Sequence, residues 1–338
     1  MTDNFKPVII GLNDLLDKEI PDIEWISYPL IPQKGISLIS AQRGIGKSWL
    51  AMGIAVASAS GFDFATFRSD KPRKVLYVDG EMPSKTLQER FAHIIKGFEA
   101  ENKHVITKNI LIYGNDLQGE QPMFDLAHPD KIQAFNDVLK SIGDVELIIM
   151  DNIITLYTYN DENSASDWQR FNNWSKEQRK LGRAILWIHH TGKSVEKGAR
   201  GSSAIEALLD SSLLLKNPVG YNQKQGAYFA AEYTKSRNIT GEAINSFNLK
   251  LVANGDTISF VQEKPEPDTD TKNQIREMLK NGQTPKEIAE TTGYSKSKVY
   301  NACKELGLKA PTKTAEQQKR INCSNQMFPN NQIPDVIQ

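Results

Sequence analysis

Lys47 and Ser48 follow Gly44-Ile45-Gly46 at the end of an apolar run, Ile36-Ser37-Leu38-Ile39-Ser40. A helix-compatible stretch, Trp49, Leu50, Met52, Ile54 and Ala55, comes directly after. Strand, glycine-containing loop and helix in that order make a phosphate-binding loop. Successive backbone N–H groups face inward, and the helix N-terminus adds partial positive charge. In such a loop Lys47 reaches β- and γ-phosphates, and the Ser48 hydroxyl binds Mg²⁺. The expected nucleotide-binding residues are therefore Gly44, Ile45, Gly46, Lys47, Ser48 and Trp49. The pattern asks for glycine at its first position, where this chain has Ala41. Alanine is small and that glycine mainly eases a turn, so the departure reads as tolerated.

Hydrolysis of a triphosphate also needs carboxylates. Val145-Glu146-Leu147-Ile148-Ile149-Met150 is a buried-strand pattern that ends in Asp151. A carboxylate there is expected to hold Mg²⁺ indirectly. The next residue is Asn152 rather than a glutamate, so the acid that orients the attacking water must come from elsewhere. Another β-branched strand, Val75 to Val78, runs into Asp79-Gly80-Glu81 and supplies Glu81. A third, Ala184 to Ile188, ends in His189-His190, one of which could sense the γ-phosphate. Adjacent residues on a strand point to opposite faces, so the pair is not expected to share a metal.

These side chains need a scaffold that brings strand ends to one edge. Apolar strands alternate with amphipathic helices at Ser84 to about Glu99, Asp130 to Ile142 and about Asp167 to Leu181. Later strands are expected near Leu213, at Ala227 to Thr234 and at Ala243 to Val252. That alternation implies an α/β fold with a mainly parallel sheet flanked by helices. Ligands bind such sheets at the carboxyl ends of the strands.

The chain has 338 residues, with Lys+Arg and Asp+Glu balanced at 41 each. Net charge thus argues neither for nor against nucleic acid, and only local patches can. Cys303 and Cys323 have no metal-ligand spacing and suggest no disulfide framework, which fits a cytoplasmic location. No apolar run is long enough to cross a membrane. The expected organisation is an N-terminal approach segment (1–34), an ATPase core (35–262), a Pro-containing linker (263–271), a small all-α domain (272–309) and a disordered tail (310–338).

Beyond the phosphate loop, VLYVDGEMP, LIIMDN, ILWIHHTGK, GARGSSAIEALLDSSLLL and EYTKSRNITGE occur in order. The set resembles RepA-type plasmid replicative helicases and their RecA-like relatives among AAA ATPases, over roughly residues 30–255. The resemblance implies a RecA-like core and a homo-hexameric ring that hydrolyses ATP between subunits. By position, Glu81 matches the catalytic glutamate of that family, Asp151 its Walker B aspartate and His190 its sensor histidine. Arg200 matches an arginine reaching across the interface, and Lys235 with Arg237 a basic pair that can act in trans. A cation from a neighbour would stabilise charge on the transferring phosphate and couple hydrolysis to assembly. Channel-facing loops would be 155–166 and 191–203, the second carrying Lys193 and Lys197 for a single-stranded DNA track, the first acidic through Asp161 and Glu162.

The segment from Lys272 to Leu306 has its own pattern. Thr284-Pro285-Lys286-Glu287 is a helix-start signal, and a turn at Thr292-Gly293-Tyr294 precedes a last helix from Lys296. The pattern resembles helix-turn-helix DNA-binding units, with Lys296, Ser297, Lys298, Tyr300 and Asn301 facing the groove. Residues 271–310 carry about four net positive charges, the sign needed to meet phosphates. The alternative is an ATPase that binds DNA and regulates or loads other machinery without unwinding.

Overall fold

Short β-branched and aliphatic runs, each closed by a polar or glycine-containing loop, set the architecture. The computed structural model describes residues 8–158, 165–191, 207–218, 221, 226–263, 269–292, 294 and 296–307. The chain divides into two units, residues 1–217 with 222–263, and residues 218–221 with 264–338.

The large unit begins with a short helix α1 (Leu12–Leu16) and a two-stranded ribbon, β1 (Trp25–Ser27) against β2 (Ile31–Pro32). The chain then alternates: β3 (Ile36–Ala41), α2 (Lys47–Ser60), β4 (Val75–Asp79), α3 (Ser84–Ile95), α4 (Ala100–Asn109), β5 (Ile110–Gly114), α5 (Pro129–Ser141), β6 (Leu147–Asp151), α6 (Ile153–Leu156), α7 (Ala165–Lys180) and β7 (Ala184–His190). It closes with β8 (Ser211–Lys216), β9 (Tyr228–Ser236), β10 (Phe247–Asn254) and β11 (Thr257–Glu263). One nine-stranded sheet runs in the order β11-β10-β9-β8-β3-β7-β6-β4-β5. The six strands from β8 to β5 are parallel, and β9 to β11 extend the sheet antiparallel.

The parallel strands are apolar on both sides, as strands covered on both faces must be. Ile39, Ala41, Val75, Tyr77, Leu147, Ile149, Leu186 and Ile188 join one core with α2, α3 and α4. Their neighbours Leu38, Leu76, Val78, Ile148, Met150, Ile185 and Trp187 join the other core with Phe135, Phe171 and Trp174. That period of two decides which strand-end residues share a face.

Several elements differ from the sequence reading. The α3 helix stops at Ile95 because Lys96-Gly97 interrupts it, and a further helix, α4, follows and closes at Asn109. Pro83 is the N-cap of α3; Ser84 lies in its first turn and its N–H donates to Asp116 at 2.8 Å. β10 starts at Phe247 because Gly241–Ile244 forms a 3₁₀ turn. β11 is an addition to the strands read from the sequence; it returns through Gly255-Asp256, with Asn254 paired to Thr257 and Gly255 at φ +61°. Two-residue hairpin loops require that left-handed conformation. The core also starts earlier than residue 35, since Ile26, Leu30 and Ile31 are fully buried in it.

The small unit holds three helices, α8 (Thr269–Lys280), α9 (Pro285–Thr292) and α10 (Lys296–Glu305). Ile275, Ile288, Ala289, Val299, Ala302 and Cys303 form its core. At the start of α9, Thr284 N–H donates to Glu287 at 2.8 Å and Glu287 N–H donates back to Thr284 Oγ1 at 3.3 Å. This reciprocal pair satisfies two helix-end donors. Residues 310–338 lie outside the described residues.

Candidate active site

The phosphate loop joins β3 to α2 and is shaped by two left-handed glycines, Gly44 at φ +81° and Gly46 at φ +119°. A Cβ on Gly46 would stand 3.0 Å from the Ala227 side chain and 3.3 Å from the Phe229 ring, so backbone conformation and close approach both demand glycine. Ile45 is buried and ties the loop to the core. No side chain caps the start of α2, so its first N–H groups face outward with the helix dipole behind them. Trp49 is half-buried, with the Arg90 guanidinium 4.8 Å above its ring.

Lys47 curls back into its own loop, donating to the carbonyls of Gln42 at 2.9 Å and Ala41 at 3.2 Å. Burial pushes its pKa down to about 8, against the opposing pull of the Asp151 and Glu81 charges. Asp151 is buried at the end of β6, and burial raises its pKa although Ser48 and Tyr77 hydroxyls both donate to it. The Tyr77 contact is 2.9 Å. A buried carboxylate with a serine hydroxyl beside it, facing a lysine and an uncapped helix start, suits Mg²⁺ with a triphosphate.

Asp79 lies opposite Asp151 in the β4–β6 register. It is buried, and its pKa is raised to about 6 by that burial and by the Asp151 charge. One of its oxygens accepts from Glu81 N–H at 2.9 Å and Met82 N–H at 2.6 Å, which fixes the turn carrying Glu81. Glu81 itself projects outward, its side chain 62% exposed. Its Oε2 accepts from the Asn152 carboxamide at 2.6 Å and lies 3.6 Å from His190 Nε2. The same Asn152 nitrogen is 3.2 Å from His190 Nε2. Burial and the Lys47 charge lower the His190 pKa, while Glu81 opposes them.

Strand parity separates the two histidines. His190 continues the Leu186 and Ile188 face, the same side as Asp79, Asp151 and α2. His189 continues the Ile185 and Trp187 face, is buried, and has a pKa of about 4 through burial and the His190 and Lys47 charges.

Lys47, Ser48, Asp151, Glu81 and His190 thus gather at the carboxyl edge of the sheet. Lys235 and Arg237 do not join them within one chain. Lys235 pairs with Ser212 at the start of β8, and Arg237 N–H donates to Asp210 just before it, at the opposite edge. Arg200, Lys193, Lys197, Asp161 and Glu162 lie outside the described residues. In the small unit, Lys296, Tyr300 and Asn301 are exposed on α10, and Lys298 lies 4.4 Å over the Tyr294 ring. Sequence reasoning notices Asn152 only as a missing glutamate; the signal is its place directly after the strand-end aspartate.

A glycine-shaped phosphate loop opening a helix, with a buried carboxylate on a nearby parallel strand, defines a P-loop ATPase domain. The chain belongs to the AAA domain family, whose match spans residues 5–196, more than half its length. No curated protein matches it. Among solved structures it is similar to one described as an ATPase domain, at 13% identity over 67% of this chain and 85% of that one, with a TM-score of 0.44. It is also similar to the flagellar accessory protein FlaH from Methanocaldococcus jannaschii, at 13% identity over 69% and 91%, with a TM-score of 0.49. No helix among the described residues is long and apolar enough to cross a membrane.

Proposed function

We propose that this chain is an ATP-hydrolysing, ring-forming DNA helicase of the RepA-like replicative class, with a RecA-like core, acting in replication of a plasmid, phage or mobile element. The observation that carries the reading is the meeting of Lys47, Ser48, Asp151 and Glu81 at one sheet edge, beside an uncapped helix start. Lys47 and the N–H groups of α2 bind the phosphates. The negative charge of a triphosphate favours the ammonium form of Lys47, against the burial that lowers its pKa to about 8. Ser48 and Asp151 would hold Mg²⁺, which neutralises charge on the β- and γ-oxygens when bound. Glu81, steadied by Asn152, orients and polarises the attacking water. His190 touches the same Asn152 and Glu81, so a change at the γ-phosphate is passed to β7 and the loop after it.

Arg200, Lys235 and Arg237 act from a neighbouring subunit in a hexamer, and Lys193 with Lys197 track single-stranded DNA. For Lys235 and Arg237 the opposite-edge position in β9 and after it supports a role in trans rather than in cis. The test is strand displacement from a forked substrate: unwinding by the wild type and its loss in Lys47→Ala support the reading, and ATP turnover without unwinding removes the helicase.

The three-helix unit favours a second reading, a DNA-binding ATPase that regulates or loads other machinery. Its Lys296, Lys298, Tyr300 and Asn301 would contact duplex DNA. Sequence-specific duplex binding that survives Lys47→Ala and is lost on deleting residues 268–338, with no unwinding, would select it.

A further inference from the structure

Besides Lys47, the phosphate loop carries one more charged side chain, Arg43, and no contact within the site uses it. It stands between Gln42 and Gly44, two residues beyond Ala41, which pairs with His190 across the β3–β7 ladder. The Lys47 ammonium donates to the carbonyls of Ala41 and Gln42, so Arg43 begins where the contacts of the lysine end. Arg43 is exposed, and among the described residues it makes no hydrogen bond or ion pair. Its charge still reaches into the site. Behind burial, it is a lesser cause that lowers the pKa of both Lys47 and His190.

An exposed arginine elsewhere on a surface would be ordinary solvated charge. Here the surroundings differ. Asp79, Glu81 and Asp151 meet at this edge, yet the guanidinium pairs with none of them. Glu81 turns its carboxylate to Asn152 and His190, and Asp79 turns its own to the Glu81 and Met82 N–H groups. A cation so placed is left for an anion from outside. Its two electrostatic neighbours show which part of that anion it meets. Lys47 reaches β- and γ-phosphates, and His190 stands beside Glu81, where the attacking water is oriented. A group close to both lies at the reacting end of the nucleotide, away from its base and ribose.

We propose that Arg43 is a catalytic residue acting in cis, its guanidinium gripping the γ-phosphate of the nucleotide held by its own loop. A planar fork of N–H donors matches two phosphate oxygens at once, which an ammonium does not. The contact tightens as charge builds on the transferring phosphoryl oxygens. It gives the chain a cation at the reacting phosphate that needs no neighbour, beside any that a neighbour supplies. The inference rests on the ATPase reading above and adds a residue to it.

The experiment uses full-length Arg43→Ala and Arg43→Lys, with Tm as the folding control. Calorimetry gives the affinities for ADP and for a nonhydrolysable ATP analogue, and steady-state turnover gives kcat and KM. Arg43→Ala should bind ADP within about twofold of wild type and the ATP analogue about tenfold more weakly, the size of one charge-assisted hydrogen bond. Its kcat should fall about 10- to 100-fold, with Arg43→Lys between it and wild type. Added guanidinium ion should partly restore turnover to Arg43→Ala and none to Lys47→Ala. Equal weakening of ADP and the analogue would overturn the proposal, since a disturbed loop does that. Unchanged kcat would overturn it too, leaving Arg43 as solvated charge. Turnover regained on mixing Arg43→Ala with Lys47→Ala would overturn the assignment in cis and give the guanidinium to a neighbour's site. Those three results leave the ATPase reading standing; a wild type that neither binds nor hydrolyses ATP would end it.

Discussion

Replacing Asn152 by alanine isolates the step from a bound to a reacting nucleotide. The carboxamide donates to Glu81 Oε2 at 2.6 Å and lies beside His190. A hydrogen bond to a charged group contributes about 1.5–3 kcal/mol. Glu81 is well exposed, so the lower end applies, and about 1.5 kcal/mol of lost orientation lowers kcat roughly tenfold. Asn152 also caps α6 by accepting from Thr155 N–H at 3.3 Å, and loss of a cap costs about 1 kcal/mol of stability. The assay is steady-state ATP turnover with kcat and KM resolved, alongside thermal unfolding. Asn152→Ala should lower kcat about tenfold, leave KM for ATP near wild type, and drop Tm by roughly 2–4 °C. Asn152→Asp keeps the cap acceptor but sets a fourth carboxylate beside Glu81, Asp151 and Asp79. It should hold Tm better than alanine and lose at least as much kcat. Unchanged kcat in both variants, or a loss confined to KM, would refute the role given to this contact.

Gly80 is crowded: a Cβ there would stand 2.3 Å from Thr155 Oγ1 and 2.8 Å from Thr155 Cβ. Gly80→Ala should therefore destabilise the fold by about 1–3 kcal/mol in chemical denaturation, and a neutral result would contradict the packing of α6 on that turn. His189 has a pKa of about 4 in the folded chain, through burial and its His190 and Lys47 neighbours, against 6.5 unfolded. The unfolded chain therefore binds the proton first as pH falls, so stability is present above pH 6.5 and lost on the way down to 4. Between pH 7 and pH 5 this side chain should account for about 2 kcal/mol, read as the difference in pH dependence between wild type and His189→Gln. Lys296→Ala/Lys298→Ala should flatten the salt dependence of duplex DNA binding by roughly two units of slope if α10 meets phosphates, and leave it unchanged if it does not.

The phosphate loop is legible in the sequence because strand, glycine loop and helix follow one another within a few residues. The strand ends at Glu81, Asp151 and His190 are legible from apolar runs that stop on a polar group. That they share an edge follows from parallel pairing, which alternating strands and helices announce. Which histidine faces α2 is not legible, because it depends on the parity of β7 against β6 and β4. The α4 helix is hidden in Glu101-Asn102-Lys103-His104-Val105-Ile106, whose single deeply buried residue, Ile106, gives little periodicity. The β10–β11 hairpin does carry a signal, the turn-forming Asn254-Gly255-Asp256, but the weak apolar pattern of the strand after it masks the pairing. Asn152 has no type or spacing that marks it; only folding brings its carboxamide to Glu81 and His190.

The most direct measurement compares wild type with Glu81→Gln for two quantities, nucleotide affinity by equilibrium binding of a fluorescent ATP analogue and the rate of phosphate release. The Glu81 carboxylate meets Asn152 and His190 at the rim of the site, and its neutral replacement keeps its shape. Binding should therefore stay within a few-fold of wild type while release falls by about 100-fold or more. Phosphate release at the wild-type rate from Glu81→Gln would contradict the assignment of the reacting edge.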